Sequence, residues 1–296
     1  ASAAARASRC AASLAWLLSV GAWAPAGAKG PPEPDAMRED DPQALEELRG
    51  RFSEAKKAQY GVLLVTGPEE LAWSDVVVRI WRAYCERHGF GFFVQREPLT
   101  TGLRFEWTKP RALLELLAKV RWSYVMLVDA KSIPVDFSKG LKHVVKHHMR
   151  HKRFSNDGTQ QRLIFCPWDC EEEYESAFME GACYGPLISG CVFHARKRDT
   201  RRLVQEWYAG RGDPNFPADV ALFQAFNKMR DANYGEVYFK DVQKEIGRSR
   251  SRFIASFTFD SKYGWNIRDQ VHEFIAKHKE LRKIANQDGT GGNQEL

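Results

Sequence analysis

The sequence predicts an α/β fold, on three observations. Tyr60–Val65 (YGVLLV) and Tyr124–Val128 (YVMLV) are short, almost unbroken apolar runs, as buried strands require. Between them, Trp73–His88 carries apolar residues at helical spacing, and a second strand pattern, Phe90–Gln95, follows at once. Strand, helix, strand in that order is the signature of a parallel βαβ unit.

The 296 residues suffice for one large α/β domain or at most two modest ones. Hydrophobic residues make up 44% and charged residues 28%, an ordinary globular balance. The net charge of +6 attracts anions only weakly. Arg6 and Arg9 precede the apolar run Cys10–Ala26, and small residues follow it. That pattern reads residues 1–28 as a signal peptide or signal-anchor, against an Ala-rich transit peptide or a disordered tail. Pro31, Pro32, Pro34 and Pro42 among many acids read residues 29–58 as a linker or stem, with a short charged helix possible within Leu45–Gln59.

The first strand ends in Thr66-Gly67-Pro68, a tight turn. Val76, Val77, Ile80, Ala83 and Tyr84 give the next helix its apolar face, and Gly89 ends it. No GxGxxG follows the first strand and no Walker pattern occurs, which disfavours the usual dinucleotide and P-loop folds. Pro110 opens a helix to about Val120, with Leu113, Leu116, Leu117 and Val120 as its packing stripe. Trp107 and Lys109 sit at its start, either lining a cleft or, for Trp107, packing in the core.

The strand Tyr124–Val128 delivers Asp129 to a sheet end, where open α/β sheets bind ligands. Phe137–Val145 reads as helix. The basic run Lys139–Arg153 has helical apolar spacing and no aromatic platform or reader motif, so it reads as a solvated helix face, and nucleic acid is not expected as a partner. His147, His148 and His151 lack a metal-binding pattern such as HExxH. Arg162–Phe165 and Leu187–Ala195, the latter with Gly190 inside it, are further strands. Asp199–Gly210 and the stretch after Phe216 are helices, with Asp219 at an N-cap or first-turn position. Glu236–Phe239 and Phe253–Phe259 are short strand-like segments, and Asp269–Ile284 is an amphipathic helix. Gln287–Leu296 is polar and glycine-rich, so residues 286–296 read as a tail. Of the six cysteines, Cys166 and Cys170 have no second close pair and make a poor zinc site; a secretory compartment allows disulfides among the five after Cys10, with one thiol left unpaired, and the plainer reading of Cys85 and Cys191 is as buried free thiols.

Six segments, in order, carry a resemblance: YGVLLVTG, AYCERHGFGFFV, FEWTKPRALLELL, WSYVMLVDAKSIPVDF, LISGCVFHARKRDTRRLVQEW and PADVALFQAF. Together they resemble the nucleotide-sugar glycosyltransferases of the GT-A fold, nearest the galactosyl and xylosyl transferases of galactomannan and xyloglucan type. The resemblance implies a mixed, mostly parallel sheet flanked by helices in a domain spanning 59–285. It implies transfer of a sugar from a UDP- or GDP-sugar to a glycan or glycoprotein acceptor, in the Golgi or endoplasmic reticulum lumen. There the chain would be membrane-anchored through its N-terminal segment, or secreted. It implies Thr66, Trp107, Lys109, Asp129 and Lys131 at the donor, Ser189 and Gly190 beside the transferred sugar, and Asp219 orienting donor or acceptor hydroxyls. In such enzymes an Asp-x-Asp pair holds Mn²⁺ against the donor diphosphate. Here the motif reads Asp129-Ala130-Lys131, leaving Asp129 as the implied metal ligand and a cation in the second place. Two outcomes follow: a metal-independent transferase in which Lys131 neutralises the diphosphate, or a glycosyltransferase-like protein without activity that binds or scaffolds.

Overall fold

A computed structural model describes residues 40–53, 58–146, 164–170, 183–186, 188–212, 217–231, 237–240, 246–247, 254–256 and 266–286. The expected leader 1–28, the proline-rich stretch 29–39, residues 147–153 of the basic run, the acids Glu171–Glu173 and the tail from 287 lie outside them. Among the described residues no helix is long and apolar enough to cross a membrane.

The core is a mixed sheet. Strand β1 (Tyr60–Val65) pairs in parallel with β2 (Gly91–Gln95) on one side and β3 (Tyr124–Asp129) on the other. Beyond β3 lies β7 (Cys191–His194), antiparallel to it, and then β5 (Ile164–Cys170), antiparallel to β7. β5 also pairs in parallel with β8 (Val237–Lys240) and antiparallel with β6 (Cys183–Pro186). Thus β2, β1, β3, β5 and β8 run one way, and only β7 and β6 oppose them. This is the mixed, mostly parallel sheet flanked by helices that was expected. A smaller sheet joins β4 (Ser132–Pro134), β10 (Ile254–Ser256) and β9 (Ile246–Gly247).

The continuous apolar runs are explained by burial on both faces. Val62, Leu64, Met126 and Val128 point to one side, and Leu63, Val65, Val125 and Leu127 to the other. Helix α2 (Leu71–His88), the crossover from β1 to β2, covers the first face with Val77, Ile80, Trp81 and Tyr84. It ends where Gly89 takes φ 63°, a left-handed conformation that suits glycine, and its N–H reaches Cys85 O and Glu86 O. The second face is covered by α3 (Thr108–Lys119), α5 (Arg198–Ala209) and α6 (Ala218–Asp231). Helix α1 (Pro42–Ser53) joins them, within the stretch read as linker. Its Leu45, Leu48 and Phe52 are buried in that core, and Asp41 Oδ1 caps it by accepting the N–H groups of Gln43 and Ala44. Three apolar residues among many charges made too sparse a stripe to stand out.

Two helices differ from expectation. Helix α4 (Leu141–Val144) begins later than the expected Phe137, because Asp136 Oδ1 accepts the Ser138 N–H and turns the chain first. The C-terminal helix is divided into α7 (Ile267–Lys277) and α8 (Lys279–Ala285) by His278, whose backbone is extended.

Cys191 is not a free thiol, correcting the sequence reading. It is joined to Cys166 in a disulfide across β5 and β7. Extending the register of Ile164↔Phe193 and Phe165↔Val192 by one step sets the two cysteines opposite each other. Cys85 is free and buried, and burial pushes its thiol pKa well up. The bridge spans 25 residues of sequence. Removing it by Cys166→Ser and Cys191→Ser is expected to cost about 3 kcal/mol through the greater freedom of the unfolded chain. Urea unfolding with and without reductant checks this. With reductant present in both samples, wild type should match the double variant, and Cys85 should resist thiol reagents until unfolding.

Candidate functional site

The parallel pairing of β1 with β3 sets Val65 opposite Asp129, so the turn after β1 and the carboxylate ending β3 share one sheet edge. At that edge two carboxylates and two ammonium groups are interleaved. Lys109 Nζ donates to Asp129 Oδ2 at 3.1 Å, and Asp129 Oδ1 accepts the Lys131 backbone N–H at 3.0 Å. Lys131 Nζ lies 3.6 Å from Glu70 Oε1, and the other Glu70 oxygen accepts the Gly67 N–H at 3.1 Å. Glu70 is only 4% exposed, and Asp129 is buried. Lys109 reaches the site from the first turn of α3, and Glu70 from the 3-10 turn Pro68–Glu70 that leads into α2.

A second set of hydrogen bonds fixes the strand end. The Asp129 N–H donates to Ser189 Oγ at 3.1 Å, and the Ser189 and Ser132 hydroxyls share a hydrogen bond of 2.6 Å. Ser189 stands in a turn rather than a strand, correcting the expectation of a continuous strand from Leu187. Gly190 turns the chain with φ 98° and donates its N–H to Leu127 O. Trp73 Nε1 donates to Ala130 O, and Trp81 Nε1 to Ser132 O.

The charges set one another's protonation. Burial works to raise the Asp129 pKa, but Lys109 and Lys131 outweigh it and hold the carboxyl below its ordinary range. Burial, and then the neighbouring Asp129, push Glu70 upward. Burial alone would lower Lys109, yet Asp129 and Glu70 keep it charged and raise it. The cluster is therefore a closely balanced set of two carboxyls and two ammonium groups, largely buried except at Lys131, whose side chain is 38% exposed.

That donor set does not fit Mn²⁺. Both Asp129 oxygens already accept hydrogen bonds, and Glu70 is engaged by Lys131 and Gly67. A hard divalent ion needs several free oxygens. Among the described residues no three His, Cys, Asp or Glu are grouped to hold a metal.

The other expected site residues are placed as follows. Thr66 is fully buried, its N–H donating to Gln95 O and its hydroxyl without a protein partner. Trp107 is likewise fully buried, in the core beneath α3, with its indole N–H unpaired. Asp219 is exposed on the first turn of α6, where its carboxylate accepts the Val220 N–H. Its hydrogen bond does not join it to the cluster. The start of α6 is tied to the turn before Lys109, because Glu106 Oε1 accepts the Ala218 N–H at 3.2 Å.

No protein-family model and no curated protein matches this chain. One solved structure that resembles it is a glycosyltransferase. That crystal structure, of an enzyme involved in the glycosylation of the major capsid of PBCV-1, aligns with a TM-score of 0.48 and 10% identity. The alignment covers 73% of this chain and 99% of the other.

The sequence reading missed Glu70 and Glu106. Each follows or flanks a turn with nothing in its neighbours to mark it, and Glu69-Glu70 after Pro68 looks like a solvated acidic pair. A cleft of about 620 Å³ lies elsewhere, between α1, α3 and α5, and includes Arg49, Arg111 and Lys119. Two of its arginines are engaged: Arg49 makes a bidentate pair with Glu115, and Arg111 bridges Glu115 and Asp40. That network holds α1 against α3, through Arg111 and Glu115 in the turns of the helix that follow Lys109.

Proposed function

We propose that this chain is a glycosyltransferase that uses lysines in place of a metal. A UDP- or GDP-sugar binds at the ends of β1 and β3, and its sugar passes to a glycan or glycoprotein acceptor. The observation that carries this reading is the Lys109–Asp129–Lys131–Glu70 cluster, which holds two ammonium groups at a sheet edge paired, among the described residues, with carboxylates. An incoming diphosphate supplies those ammonium groups with stronger partners than single carboxylates. As the bond from the sugar to the diphosphate breaks, negative charge grows on the leaving oxygens. Lys131 and Lys109 stabilise that charge with their ammonium groups. Ser189 fixes Asp129 through its backbone N–H, so the anionic end of the cluster does not shift when the lysines turn to the ligand. In this reading the turn at Thr66 borders the donor, Trp107 supports the start of α3 from the core, Ser189 and Gly190 border the sugar, and Asp219 orients a hydroxyl.

The test is titration of UDP- and GDP-sugars into the purified chain with EDTA or with Mn²⁺. Saturable binding is expected, equal in the two conditions. Lys131→Met should weaken it about tenfold or more, a loss of at least about 1.4 kcal/mol. The reading fails if neither donor binds in either condition.

A second reading has its own support. Both Asp129 oxygens are already satisfied, so a silent fold that binds a nucleotide sugar or scaffolds a partner needs no further group. It predicts binding without transfer, and sugar transfer to any acceptor would exclude it. We also propose that the chain works in the lumen of the Golgi or endoplasmic reticulum, anchored through residues 10–26, or is secreted. The Cys166–Cys191 disulfide supports an oxidising compartment.

A further inference from the structure

The cleft between α1, α3 and α5 is lined by residues that stand one helical turn apart on each helix. Arg49 comes from α1, Arg111, Glu115 and Lys119 from one face of α3, and Arg201 and Gln205 from one face of α5. With Glu46 of α1, the lining holds four cations and two carboxylates. The carboxylates already have partners. Glu115 takes two bonds from Arg49, and Arg111 Nη1 lies 2.7 Å from its Oε1. Burial works to raise the Glu115 pKa, but these two arginines outweigh it and hold the carboxyl below its ordinary value. Glu46, whose side chain is 80% exposed, lies 3.7 Å from Arg49, and Asp40 meets Arg111 from outside the cleft.

The other two cations are unanswered. Among the described residues neither Arg201 nor Lys119 makes an ion pair, and both are exposed. Lys119 closes α3, where the negative pole of the helix favours a cation. Arg201 stands near the start of α5, where the positive pole disfavours one. Helix stability therefore accounts for Lys119 and not for Arg201.

We propose that this cleft binds a sugar-sized molecule carrying a phosphate or sulfate ester, with Arg201 and Lys119 on the ester. A guanidinium donates two parallel hydrogen bonds to such an oxyanion, and an ammonium group adds a point charge. The volume of about 620 Å³ lies within the range of small-molecule sites, about 300–1,000 Å³, and is far more than a bare oxyanion fills. The remaining lining suits a sugar body. The Gln205 amide can both donate to and accept from hydroxyls, and Leu114 and Ala118 offer apolar surface to the C–H face of a ring. The site is separate from the cluster at the sheet edge, because Lys119 lies about 15 Å along α3 from Lys109. It stands or falls independently of the donor reading.

The experiment is calorimetric titration of the full chain at low salt with glucose 6-phosphate, glucose 6-sulfate, inorganic phosphate and glucose. Saturable binding of the esters is expected, with inorganic phosphate about tenfold weaker or more and glucose without effect. Binding of one ester alone would fix the group as phosphate or as sulfate. Arg201→Met combined with Lys119→Met should weaken ester binding about tenfold or more at an unchanged melting temperature, since neither side chain holds the fold together. That variant should keep its affinity for UDP- and GDP-sugars. Lys283→Met, an equal charge change on exposed α8 across the sheet, should leave ester binding unaltered. Lys131→Met should leave it unaltered too, which separates this cleft from the donor site. The proposal is overturned if neither ester binds, or if inorganic phosphate binds as tightly as the esters. It is equally overturned if Lys131→Met abolishes ester binding while the Arg201 and Lys119 variant retains it.

Discussion

Trp122→Ala is expected to lower stability by about 3–5 kcal/mol, among the largest effects of any single truncation in this chain. Trp122 is fully buried and stacks on Phe93 of β2, with ring centres 5.5 Å apart. Its indole lies over two glycines that are partners across β1 and β2, Gly61 and Gly91. A Cβ added to Gly61 would stand 1.9 Å from Trp122 Cε3, and one added to Gly91 would stand 1.9 Å from Trp122 Cζ2. Neither approach is possible for real atoms, so the ring needs both glycines. Gly61→Ala should therefore destabilise by overpacking, by about 1–3 kcal/mol or more. Combined with Trp122→Ala it should cost much less than the sum, because the clash disappears with the ring. Urea unfolding of the two single variants and the double variant checks this. Additive costs, or a neutral Gly61→Ala, would mean the indole is not seated on this glycine pair.

The same residues show how far the sequence could be read. β1 and β3 were legible because burial on both faces demands apolar residues at every position, which few other structures require. Asp129 was legible because a carboxylate ending such a strand must sit at the sheet edge. The glycine pair under Trp122 was not. Gly61 and Gly91 lie thirty residues apart in sequence, and only the register of two strands brings them under one ring. Lys109 was marked by its place in a motif, but its ion pair with Asp129 depends on where α3 begins relative to β3. Glu70 carries no local sign of burial, since its partner Lys131 is supplied by another loop. Cys191 was misread for a similar reason: disulfide pairing follows strand adjacency, and β7 is adjacent to β5 although β6 precedes it in the chain.

Lys109→Met should cost about 3 kcal/mol or more near neutral pH, and the cost should shrink as pH falls. In the wild type, Lys109 compensates Asp129 directly and also acts on Glu70. Removing one partner of a buried ion pair leaves a charge with inadequate compensation, a cost of about 3–5 kcal/mol. The signs of the linkage differ for the two acids. Asp129 has a folded pKa below its unfolded value, so its contribution is present above the unfolded pKa and is lost as pH falls through the folded one. Glu70 has a raised folded pKa, so its contribution is present below the unfolded pKa and is lost as pH rises through the folded one. Without Lys109, both carboxyls shift upward and take protons more readily in the folded state. Acid then relieves the variant through both carboxyls, whereas in the wild type its effects through Glu70 and Asp129 oppose each other. The gap between the two stability curves should narrow on going from about pH 7 to about pH 4, across the ordinary carboxylate range. Lys109→Met with Asp129→Asn should be more stable than Lys109→Met alone, since the stranded charge is gone. A penalty constant across that range would show that Lys109 acts through the packing of its stem rather than its charge. A balanced cluster of this kind also ties ligand binding to stability. An anion that engages Lys109 and Lys131 in the folded state restores to them the counter-charge they share with Asp129 and Glu70, so the diphosphate that tests the function should also raise the melting temperature.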